Sequence, residues 1–130
     1  SEPLLWVLHL GYAFVPIGSV GLAISILWPV SLGEAPALHL WMAGCFGLMT
    51  LAMMTRATLG HTGQELRAGT GTLLIYLALL GAVVARLSAA FWFGAAMTLY
   101  AVSAVFWIAA FGGFAIVYGP LLAKPKPQRK

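Results

Sequence analysis

Charged residues cut the chain into long uncharged stretches. Residues 3–33, 35–55, 68–85 and 87–123 contain no Asp, Glu, Lys or Arg. Each stretch is near or above the roughly 18 apolar residues that mark a spanning helix. None shows the strict apolar–polar alternation of an outer-membrane barrel strand. Open strands are excluded because lipid cannot satisfy a sheet edge. The pattern predicts an all-α, polytopic transmembrane bundle of four spanning helices, roughly 4–29, 36–57, 69–87 and 90–118. These fill a transmembrane region of residues 1–119, with a basic tail over 120–130. Fully helical, the last stretch would reach about 55 Å at 1.5 Å per residue, too long for one span, whereas two spans need about 40 residues and a turn. One long helix with a frayed or kinked end near Gly112–Gly113 is the prediction.

Composition agrees. The chain is 62% hydrophobic and 8% charged, against about 25% charged for a soluble domain, so it cannot coat a water-soluble globule. It opens Ser-Glu-Pro, without an initiating Met, a basic n-region or a small-residue cleavage pattern, and reads as a piece of a longer or processed chain. Four spans put both termini on one side. That side carries Arg56, Arg67 and the tail cations Lys124, Lys126, Arg129 and Lys130; the other carries Glu34 and Arg86. The positive-inside rule then places both termini in the cytoplasm. The tail is short, lacks aromatics and abuts a membrane helix, so anionic lipid is its expected partner and nucleic acid is not.

Small residues mark the expected helix contacts: Gly11, Gly18, Gly21 and Ser25 on the first helix, Ala43 and Gly47 on the second, Ala78 and Ala82 on the third, and Ala95 and Ser103 on the fourth. Pro16 predicts a kink. Trp6, Trp28, Trp41 and Trp92 fall near helix ends, as an interfacial belt would place them, and Trp107 lies deeper. Cys45, the single cysteine, allows no internal disulfide and no C-x-x-C-H haem attachment; it reads as a small packed hydrophobe.

The polar chemistry gathers around "MTRATLGHTG", residues 54–63. If residue 29 lies level with 36, positions whose numbers sum to about 65 share a depth, at the 1.5 Å rise of paired helices. His9 is then level with Arg56, and His61 lies just past the end of the second helix on the same side. Tyr12 is one turn from His9. Two readings follow. In one, His9 bonds a neighbouring carbonyl, Arg56 snorkels to headgroups and His61 is solvated. In the other, a neutral imidazole ligates haem iron, Arg56 pairs with a propionate, and Gly11 and Gly60 leave room for the macrocycle. At the opposite end His39, Met42 and Met49 share a stripe. Imidazole with thioether suits Cu(I), and Met stripes also serve packing. No catalytic constellation is visible: Asp is absent, and Glu2, Glu34 and Glu65 are scattered.

"LHLGYAFVPIG" from Leu8, "LHLWMAGCFGLMTLAMMTRATLGHTGQELR" from Leu38 and "VVARL" from Val83 resemble the C-terminal part of the NnrS family. Gln64 departs from the basic residue often found there. The resemblance implies a longer bacterial inner-membrane protein containing non-covalent haem b and copper, linked to nitric oxide and nitrosative stress. It further implies nitric oxide as a small ligand and N-terminal helices as packing partners. By position it points to His9, His61, Arg56 and Tyr12 for the cofactor and to His9, His61 and His39 for metal. The alternatives from other classes are a segment of a transporter for a small solute or metal and a structural membrane subunit that binds nothing.

Overall fold

The computed structural model describes residues 3–30 and 32–123. Glu2 and the tail cations Lys124, Lys126, Arg129 and Lys130 lie outside the described residues. Four helices are long and apolar enough to cross a membrane: α1 (Pro3–Leu27), α2 (Glu34–His61), α3 (Thr70–Ser88) and α4 (Phe93–Ala123, its first turn 3₁₀). No strand occurs among the described residues.

The boundaries of α2 and α4 depart most from the sequence expectation. Helix α2 starts at Glu34, where an acidic side chain meets the positive end of the helix dipole. Pro36 falls in the first turn, where its missing N–H costs nothing. At its other end α2 runs to His61, so "MTRATLGHTG" is helix and cap, and His61 belongs to the helix. The stop is set by Gly63, whose φ of +70° is left-handed. The Gln64 N–H donates to the Leu59 carbonyl at 2.9 Å and the Gly63 N–H to the Gly60 carbonyl at 3.3 Å, the paired bonds of a Schellman cap.

Helix α4 does not end near Gly112–Gly113. It continues to Ala123 because Gly113 serves close packing: a Cβ there would lie 3.2 Å from Ile75 Cγ1 on α3. At about 46 Å, α4 exceeds the ~30 Å hydrocarbon layer and must tilt or project. Helix α1 likewise continues through Pro16.

Within α2, Leu40–Gly47 is π-helical, a wider turn that re-aims side chains and recurs at functional sites. Ala43, Gly44 and Gly47 put little bulk on it. Here α1 and α2 interlock reciprocally. The Trp41 indole lies on Gly18, where a Cβ would fall 2.1 Å from Trp41 Cδ1, and the Phe14 ring lies on Gly44, where a Cβ would fall 2.5 Å from Phe14 Cδ1. Trp41 Nε1 donates to the Val15 carbonyl at 3.0 Å. Trp41 is therefore a helix-to-helix anchor and leaves the expected belt, while Trp6, Trp28 and Trp92 are largely exposed on the bundle surface. The small-residue stripe on α1 thus has a specific partner for each glycine, and lipid-phase packing of this kind rests on dispersion and interhelical hydrogen bonds.

Helices α3 and α4 pack along most of their length. The Ser103 hydroxyl donates to the Ala82 carbonyl at 2.8 Å, and the Thr72 and Tyr118 hydroxyls share a hydrogen bond of 2.5 Å. Leu4 of α1, Leu48 and Leu51 of α2, Leu79 of α3 and Ala110 of α4 are fully buried in one cluster that joins the four helices.

Candidate functional site

The facing positions set the depth of each polar group. Gly11 meets Leu48 and Met49, Phe14 meets Gly44, and Gly18 meets Trp41, so positions summing to about 59, not 65, share a level. Most of the difference arises because the connection falls two residues earlier on both helices, α1 ending at Leu27 and α2 beginning at Glu34. His9 is therefore offset from Arg56 by about six residues, or about 9 Å. The expected meeting of His9, Arg56 and His61 at one level does not occur. His9 and Tyr12 line a groove between α1 and α2 with Leu8 and Met49. Arg56 is half-buried on α2. His61 lines a separate cleft with Met54, Thr58, Phe114 and Leu122. His39 lines a third, at the opposite end of α2.

Two histidines, exposed His9 and half-buried His39, share one local arrangement. His9 Nδ1 lies 2.8 Å from the Leu5 carbonyl and His39 Nδ1 lies 2.6 Å from the Ala35 carbonyl. A carbonyl only accepts, so Nδ1 donates in both. In a neutral imidazole this leaves a lone pair on Nε2. A backbone bond at Nδ1 is also what usually orients a metal-ligating histidine. The two readings of His9 are therefore compatible: its carbonyl bond is present, and that bond leaves the other ring nitrogen without a backbone partner.

Each of these imidazoles has a thioether in its cleft, Met49 beside His9 and Met42 beside His39. The stripe of His39, Met42 and Met49 is thus split between two clefts. Buried Cys45 places Sγ 4.0 Å from Met49 Sδ. Among the described residues no three His, Cys, Asp or Glu side chains converge. A structural zinc site, which draws four ligands from the protein, is not built by them. The donors fit groups that need fewer: a haem iron, which takes its axial ligands from the protein, and Cu(I), which accepts imidazole and thioether.

The His39 cleft encloses about 470 Å³ between α2, α3 and α4, lined by His39, Met42, Arg86, Tyr100, Ser103 and Trp107 among others. The Arg86 guanidinium carbon lies 4.4 Å above the centre of the Tyr100 ring. Trp107 packs over Gly47, where a Cβ would sit 3.3 Å from the indole, and its ring lies 4.8 Å from that of Phe111. Ser103 is committed to α3 through the Ala82 carbonyl. Sequence reasoning did not select Arg86, Tyr100, Ser103 or Trp107. The available signals were Arg86 as the lone cation of its membrane side and Trp107 as the one tryptophan away from the helix ends.

Four apolar spans, with their few polar side chains gathered in clefts near the two ends of α2, define an all-α polytopic membrane protein. The chain belongs to the NnrS family: the family model described as NnrS protein matches residues 1–126. Searches of curated proteins and of solved structures gave no match.

Proposed function

We propose that this chain acts in a haem- and copper-binding protein of the bacterial inner membrane that responds to nitric oxide. Family membership supports the reading. The observation that carries it is the pair of imidazoles, His9 and His39, each tied at Nδ1 to a carbonyl, free at Nε2, and set beside a methionine in an apolar cleft. Haem iron, when bound, supplies the open coordination position at which nitric oxide binds. His9 with Tyr12 and Met49, and His39 with Met42, are the two donor sets. His61 and Arg56, at the other end of α2 from His39, would serve a ligand entering from the cytoplasmic side. Arg56 and Arg67 against Arg86 favour cytoplasmic termini. The role in this reading is binding or sensing of nitric oxide.

The test is a pyridine haemochrome assay with copper analysis on the whole protein purified in detergent. A b-type Soret band and bound copper are expected. Colourless, copper-free protein from haem- and copper-replete cells would refute the proposal.

A further inference from the structure

We infer that the porphyrin sits in the cleft between α2, α3 and α4, with His39 Nε2 as the iron donor and Arg86 as the anchor for a propionate. This rests on the haem reading above and adds which histidine carries the macrocycle.

Charge is the first argument. Protohaem is an apolar disc with two carboxylates on one edge, so its seat needs apolar walls and a cation at one side. Arg86 is half-buried in the last turn of α3, at the edge of the span, where a guanidinium is stabilised by an anionic partner. Glu65 pairs with Arg67, and among the described residues no carboxylate neutralises Arg86. The Tyr100 face below it supplies about 0.5–2 kcal/mol and holds the guanidinium in place while leaving its N–H fork open. That fork matches a carboxylate in two parallel bonds.

Shape is the second. The cleft of about 470 Å³ has Trp107 and Ile108 as apolar wall and His39 on the facing helix. The Nδ1 bond to the Ala35 carbonyl orients the ring and leaves Nε2 as the nitrogen available to a metal.

The His9 groove supplies the contrast. It is lined by Leu8, His9, Tyr12 and Met49, with no cation. Arg56, the guanidinium on α2, is displaced about 9 Å in depth. An imidazole with a thioether and no carboxylate anchor suits a small soft ion, so copper is left to that groove.

The experiment compares two probes on the whole protein, purified in detergent and stripped of haem: iron protoporphyrin IX and its dimethyl ester, which lacks the carboxylate charges. Wild type should bind the free acid at least tenfold more tightly than the ester, and Arg86→Gln should abolish that preference. His39→Gly should lose the histidine-ligated spectrum and regain it on addition of imidazole. Equal wild-type affinities for acid and ester would overturn the role of Arg86 without relying on any variant. An unaltered spectrum in His39→Gly, or loss and imidazole rescue in His9→Gly instead, would overturn the assignment while leaving haem binding intact. Wild-type protein that binds neither probe would bring down the functional reading itself.

Discussion

Replacing Gly18 by Ala tests the contact that sets the depth of every polar group on α1 and α2. The added Cβ would fall 2.1 Å from Trp41 Cδ1 and 2.3 Å from Nε1, well inside van der Waals contact. The indole cannot yield at its tip alone, because Nε1 is bonded to the Val15 carbonyl at 3.0 Å. Moving it breaks that bond, worth about 0.6–1.7 kcal/mol in a membrane bundle, and adds an overpacking cost of about 1–3 kcal/mol. Against this stands the gain of about 1 kcal/mol for Ala over Gly inside a helix. The net expectation is a loss of about 1–3 kcal/mol. Gly112→Ala is the matched control: nothing lies within 4 Å of a Cβ built there, so the propensity gain stands alone and the protein should be unchanged or up to about 1 kcal/mol more stable. Unfolding in mixed micelles titrated with SDS, followed by circular dichroism, reads both. Trp41→Ala opens the space the methyl needs, so Gly18→Ala on that background should lose most of its penalty. If Gly18→Ala matched Gly112→Ala in sign and size, the reciprocal glycine–aromatic interlock would not be what registers the two helices.

Three further outcomes follow from the cap and the buried hydroxyls. Gly63→Ala should destabilise the end of α2 by about 1–2 kcal/mol, because φ +70° is left-handed, and should hasten proteolysis in the 62–69 connection; unchanged cleavage would argue against the cap. Tyr118→Phe removes one partner of the 2.5 Å bond to Thr72 and should cost about 1 kcal/mol. Tyr76→Phe should be neutral within about 0.5 kcal/mol, because its buried hydroxyl has no partner in bonding geometry and the neighbouring Thr55 hydroxyl already donates to the Leu51 carbonyl. A large loss in Tyr76→Phe would mean that this hydroxyl is bonded after all.

Much of the architecture was legible in the residues because membrane insertion is a local property. A run such as 69–87 carries its own transfer free energy and backbone bonds, whatever it later packs against. The expected and observed third helix accordingly differ by one residue at each end. Ends were harder where caps act. Nothing in the hydropathy of 54–63 distinguishes a polar loop from a helix closed by a left-handed glycine, and only the bonds from Gln64 and Gly63 back to Leu59 and Gly60 decide it. At Gly112–Gly113, propensity argued for fraying, and contact with Ile75 overrode it.

The sequence by itself determined that this chain spans a membrane four times, which residues share each end, and which few carry donor chemistry, since hydrophobicity, charge and side-chain type belong to each residue singly. Tertiary structure alone decided which donors meet. An offset of about six residues between α1 and α2 parts His9 from Arg56 and sets it beside Met49, and the approach of α3 and α4 brings Arg86, Tyr100 and Trp107 to His39. The physical reason is that register in lipid comes from bumps fitting hollows on different helices, Trp41 on Gly18 and Phe14 on Gly44. The small-residue stripe on α1 shows where a neighbour can approach, but which residue of α2 fills each hollow exists only between the partners.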